Sequence, residues 1–158
     1  MKTVLIFIGV AVFAIVGALW FRSTAIPTYQ ISVAAIPQVL TELSAAHATP
    51  AFAILMIPQT PGPGSDEKLE VELSIEAGKP GFDWIPPSPQ NPEDEARFTE
   101  FARAAGYTAV AKEAHGVRYL RVENGDLAHL CGDVIVNYYH HAETDPVELL
   151  VQGFAWKP

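Results

Sequence analysis

Eighteen consecutive residues near the amino terminus, Val4 to Phe21, carry no charge. As a helix rising 1.5 Å per residue this run is about 27 Å long, close to the roughly 30 Å hydrocarbon core of a bilayer. A secretory signal has a shorter apolar centre, about 7–15 residues. Trp20 and Phe21 then suit the headgroup level, and Arg22 can extend its guanidinium to water. The run therefore reads as a retained membrane anchor. The alternative is a signal removed near Ala25, where Ser23 and Ala25 have the small-residue spacing of a cleavage site. A buried core helix does not fit a segment that is apolar all round. A lipoprotein signal is excluded, because Cys131 is the chain's only cysteine.

Lys2 precedes the run, Arg22 follows it, and no further Lys or Arg occurs before Lys68. Positive flanks stay in the cytoplasm, so the rest of the chain is expected outside it. Cleavage near Ala25 would instead give a secreted or periplasmic protein. Residues 1–25 are thus an anchor or signal, and residues 26–158 a single soluble domain.

That domain is acidic. The chain has a net charge of −8, and its first 25 residues hold two basic side chains and no acid. Binding nucleic acid needs Lys and Arg against phosphates, so nucleic acid is excluded as a partner. One cysteine forms no internal disulfide; Cys131, between Leu130 and Val134, reads as a small buried apolar residue.

The patterns along the domain define its elements. Ile26 to Ala35 reads as a linker or a short strand. Pro37 to His47 reads as a helix, with Ile36, Val39, Leu40 and Leu43 on one face. Ala51 to Ile57 is continuously apolar between prolines, as in a central strand buried on both faces. Leu69 to Glu76 alternates strictly, which predicts a half-exposed strand with Glu70, Glu72, Ser74 and Glu76 wet. Pro80 and Gly81 are read as the following turn, and Phe82 to Ile85 as the returning strand. Asn91 caps a second helix that Pro92 opens and Gly106 stops, with Phe98, Phe101, Ala102 and Ala105 inward. Tyr107 to Glu123 reads as a hairpin turning at His115 and Gly116. Asp126 caps a third helix with an apolar stripe from Leu127 to Tyr138, and Val147 to Trp156 is a last strand.

Strands paired through hairpins, with helices packed on them, make this an α+β two-layer domain with a mostly antiparallel sheet and about three helices. The order of its first eight elements is similar to that of type III secretion chaperones, a likeness of element order carried by no motif.

The chain contains no glycine-lysine phosphate loop, H-E-x-x-H, G-x-S-x-G or C-x-x-C. No catalytic residue and no cofactor is assigned. The metal candidates are His129 and Asp133, four apart on one helix face, with His140 and His141 at the helix exit. Their position opposite the apolar stripe is where the solvated polar residues of a helix belong, and that reading is preferred over a metal site. Glu70, Glu72 and Glu76 form an acidic row suited to docking a basic partner, or to pairing with Lys112, Arg118 or Arg121 across strands. Phe82, Asp83 and Trp84 form an aromatic platform or the end of a core, and Pro86 with Pro89 matches a P-x-x-P ligand.

The sequence therefore predicts a membrane-anchored, non-enzymatic domain that binds another protein, held to the membrane by residues 4–21. A secreted or periplasmic enzyme and a chaperone- or inhibitor-like module are the alternatives.

Overall fold

The computed structural model describes residues 28–58, 69–87, 91–114 and 116–157. The apolar run at residues 4–21 lies outside them. Among the described residues no helix is long and apolar enough to cross a membrane.

Seven strands form one antiparallel sheet: β1 (Thr28–Ile31), β2 (Phe52–Ile57), β3 (Leu69–Glu76), β4 (Lys79–Trp84), β5 (Ala109–Ala114), β6 (Val117–Val122) and β7 (Val147–Gln152). Their order across the sheet is β1-β7-β2-β3-β4-β6-β5. Among the described residues three helices accompany them: α1 (Ile36–Ser44), α2 (Pro92–Ala104) and α3 (Leu127–Asp133). One 3-10 turn, Val33–Ala35, leads into α1, and a π-helical turn, Val134–Tyr138, extends α3. This is an α+β domain.

Side-chain chemistry starts two of the helices. Asn91 Oδ1 accepts the Glu93 N–H at 3.1 Å, and Glu93, Asp94 and Glu95 fill the positive first turn of α2. Asp126 Oδ1 accepts the His129 N–H at 3.0 Å and opens α3. The end of α3 is closed by His140, which takes a positive φ of 58°. The His141 N–H then reaches back to the Ile135 carbonyl at 3.0 Å, so both histidines terminate the helix.

All three helices lie on one face of the sheet and share its core. Ile36, Val39 and Leu43 of α1, Phe98 and Ala102 of α2, and Leu130, Cys131, Val134 and Ile135 of α3 pack with Leu55, Leu73, Phe82, Trp84 and Leu149. Phe98 stacks on Trp84 with centroids 4.4 Å apart, and Tyr138 meets both rings edge-on. Trp84 Nε1 donates to the Tyr139 hydroxyl at 2.7 Å, which satisfies the indole N–H in this apolar setting. Burial pushes the Cys131 thiol up, as expected of an inert core cysteine.

Four features differ from the sequence reading. Ala105, expected inward, is exposed as the cap that ends α2. The β3–β4 turn falls at Ala77 and Gly78, both at positive φ, while Pro80 and Gly81 lie within β4. A two-residue hairpin whose twist matches its strands needs positive φ at both central positions, and Gly78 supplies one of them without strain. The last strand ends at Gln152, where Gly153 at φ 81° turns the chain against the Pro50–Ala51 backbone. Finally, the wet face expected for β3 is dry at its centre: Glu72 and Ser74 are buried.

Candidate functional site

The strand register builds the sheet face that bears none of the helices. Ile54 of β2 lies opposite Glu72 of β3, Glu72 opposite Asp83 of β4, and Asp83 opposite Arg121 of β6. At the end of that row, Val110 of β5 lies opposite Arg121 and Lys112 opposite Tyr119. One half of this face is apolar, with Phe52 and Ile54 buried beside Met56, Ile85 and Leu150. The other half is ionic.

Arg121 is the centre of the ionic half. Its Nη1 donates to both Asp83 oxygens and to Ser74 Oγ at 2.8 Å, and its Nε donates to Glu123 at 2.7 Å. Its Nη2 donates to the Lys79 carbonyl at 3.2 Å. Gly81 makes room for the guanidinium, which occupies the space where a β-carbon would stand. Lys112 donates to Glu76 at 2.7 Å, and the Tyr119 hydroxyl to the other Glu76 oxygen at 3.0 Å. Burial pushes the Glu76 carboxyl up, but Lys112, Arg121 and Tyr119 outweigh it and hold the group below its ordinary value. The Arg121 hydrogen bond does the same for Glu123. Burial raises Asp83 even against the guanidinium.

Glu72 stands apart from this network. It is 1% exposed, and neither carboxylate oxygen has a hydrogen-bond partner. Burial, with the nearby Asp83 charge added, raises its carboxyl well above the ordinary value. Of the acidic row, then, Glu76 is paired with Lys112 and Arg121, Glu72 is buried, and Glu70 is half-buried. Arg118 pairs with Glu95 of α2 at 2.8 Å.

Phe82 and Trp84 are fully buried on the helix-covered face, and Asp83 between them is buried on the opposite face. These three residues form no exposed platform; the aromatics complete the core. Pro86 is buried, and Pro89 lies outside the described residues.

The ionic half opens to solvent at the margin of the sheet. A cavity of about 320 Å³ lies there, lined by Thr108, Val110, Lys112, Arg121, Glu123 and Asn124. It adjoins β5, which among the described residues pairs only with β6. Val110 projects from this outer strand and is 53% exposed. Of the charges lining the cavity, Lys112 and Arg121 are compensated by Glu123 together with Glu76 and Asp83, which lie outside its lining.

A second cavity, of about 480 Å³, lies between α3 and the turn leading into α1. It contains His129 and Asp133, with Nε2 and Oδ2 3.3 Å apart, and also Asp126, Asn137 and Glu143. A base and its orienting carboxylate are present, but no Ser, Thr, Cys or Lys lines the cavity beside them. His140 and His141 are held at the helix terminus instead. Among the described residues no three His, Cys, Asp or Glu side chains are placed to hold a metal ion.

No protein-family model matches the chain, and neither a curated protein nor a solved structure shows significant similarity to it.

The sheet margin and the helix cavity were not legible in the sequence. Strand order decides which strand is outermost, and hairpin patterns do not report it. The cavity depends on the approach of α3 to the Val33 turn, where a β-carbon on Gly132 would lie 3.3 Å from Val33 Cγ1.

Proposed function

We propose that this chain is a membrane-tethered, non-enzymatic binding domain that receives an extended segment of a partner protein along β5. Residues 4–21 hold it to the bilayer, and the domain stands on the extracytoplasmic side. The observation that carries the reading is the open margin of the sheet. An outermost strand presents unpaired backbone N–H and C=O groups, and an extended peptide satisfies them by adding a strand. Proteins usually guard such edges with outward charges. Here the Lys112 ammonium is drawn inward to Glu76 and Glu123. Val110 and the small side chains of Ala109, Ala111 and Ala114 leave room for a neighbouring strand. Glu113, exposed on β5 and opposite Arg118 of β6, favours a basic residue on the incoming strand.

The test places a photo-crosslinking residue at Val110 of the full chain in its native membranes, with exposed Thr41 on α1 as control. The reading expects the protein to stay in carbonate-washed membranes. It also expects a discrete adduct from Val110 that is absent from Thr41 and lost on Glu113→Lys. A protein free in solution, or identical adducts from both positions, would overturn it.

A further inference from the structure

We infer that the cavity between α3 and the α1 entry turn is a second docking site, for an arginine-bearing basic segment of a partner protein. Val33, Ala34, Pro37, Ala128 and Val136 give it apolar walls. Its rim carries three carboxylates, Asp126, Asp133 and Glu143, and no lysine or arginine.

The internal partners of these acids leave most of their charge uncompensated. Asp126 spends one oxygen on the backbone N–H of His129. Asp133 accepts the Asn137 amide at 3.1 Å and faces His129 Nε2 at 3.3 Å. Glu143 makes no ion pair among the described residues and is exposed. The carboxylates therefore attract positive charge, and the apolar lining favours a cation with an aliphatic stem.

Geometry favours a segment over a single small amine. Asp126 and Asp133 are seven residues apart on one helix, about 10 Å along its axis at 1.5 Å per residue. One ammonium cannot serve both. Two long basic side chains on an extended backbone span that distance, with alternate residues about 6.7 Å apart and flexible stems adding reach. Arginine suits the site better than lysine, because its five donors in a planar fork match carboxylates and the Asn137 amide together. The π-helical turn supplies Val136 and Asn137 to this wall, and such turns recur at functional sites.

The test uses the full chain, isotope-labelled in detergent micelles, titrated with the capped tripeptide Arg-Val-Arg. The control tripeptide carries citrulline, which keeps the shape and removes the charge. Saturable shifts of the His129 ring and the Gly132 amide are expected with the arginine peptide, at least about tenfold weaker with citrulline. The double variant Asp126→Asn, Glu143→Gln should weaken binding similarly while keeping the helix cap, because asparagine caps as well as aspartate. Equal shifts with both peptides, or none, would overturn the proposal. So would agmatine binding as tightly as the tripeptide, which would make the occupant a small amine. Shifts confined to Val110 and its neighbours would also overturn it, and would assign the basic segment to the β5 margin.

Discussion

Arg121 Nη1 donates to both carboxylate oxygens of Asp83, at 2.8 and 2.7 Å, with neither side chain exposed to solvent. Two charges taken from water are tolerated only when each satisfies the other and its neighbours, and removing one partner strands the second. Asp83→Ala is expected to cost about 3–5 kcal/mol. The double variant Asp83→Leu, Arg121→Met should cost less than Asp83→Ala alone, because it strands neither member of the buried pair. Chemical unfolding of the full chain in micelles measures both. A loss below about 1 kcal/mol for the single variant, the range of an exposed ion pair, would mean that this pair is hydrated in solution.

Gly81 is the steric counterpart of that pair. A β-carbon at this position overlaps the Arg121 guanidinium. Gly81→Ala should therefore destabilise the domain by about 1–3 kcal/mol, the usual cost of overpacking. In an Arg121→Ala background the same substitution should be close to neutral, since the obstructing group is gone. Additive losses in the double variant would show that Gly81 acts through the backbone and not through Arg121.

The aromatic core separates two residues that the helix pattern groups together. Phe98 is fully buried, stacked on Trp84, while Phe101 is partly exposed at the margin of the cluster. Phe98→Ala should cost about 3–5 kcal/mol through lost transfer energy and the cavity left behind. Phe101→Ala should cost distinctly less. Equal losses would place Phe101 as deep in the core as Phe98.

Those elements whose start or period resides in their own side chains were legible in the sequence. Asn91 and Asp126 announce helices because each carries the capping oxygen itself. The alternation in β3 correctly shows which residues share a face. It does not report what the neighbouring strands bring to that face. Glu72 is buried because Ile54 and Asp83 flank it, and Ser74 because Arg121, 47 positions away, reaches over it. Gly81 resembles a turn residue in sequence, and its actual role depends on a side chain 40 positions later. The insertion of β7 between β1 and β2 is likewise a long-range pairing that no local pattern encodes. The candidate sites share this origin. The margin at β5 and the cavity beside α3 arise from strand order and helix approach, whereas His129 and Asp133 were visible as a helical pair.

Glu72 makes the domain's stability depend on pH in the direction opposite to that of Glu76 and Glu123. Its buried carboxyl is raised above the ordinary value of 4.5, so the folded chain holds this proton more tightly than the unfolded chain. The resulting contribution to stability is complete below the ordinary value and is lost as pH rises through the raised one. Glu76 and Glu123 behave in reverse: their lowered carboxyls contribute above the ordinary value, and that contribution is lost as pH falls through the lowered ones. Glu72→Gln resembles the protonated acid in shape and does not ionise. The variant should therefore gain on the parent as pH rises above about 5, at about 1.4 kcal/mol per pH unit until Glu72 ionises in the folded chain. Below about pH 4 the difference between the two proteins should no longer change with pH. Melting curves of both across about pH 3–9 test this, and parallel pH profiles would mean that Glu72 is hydrated or paired in solution.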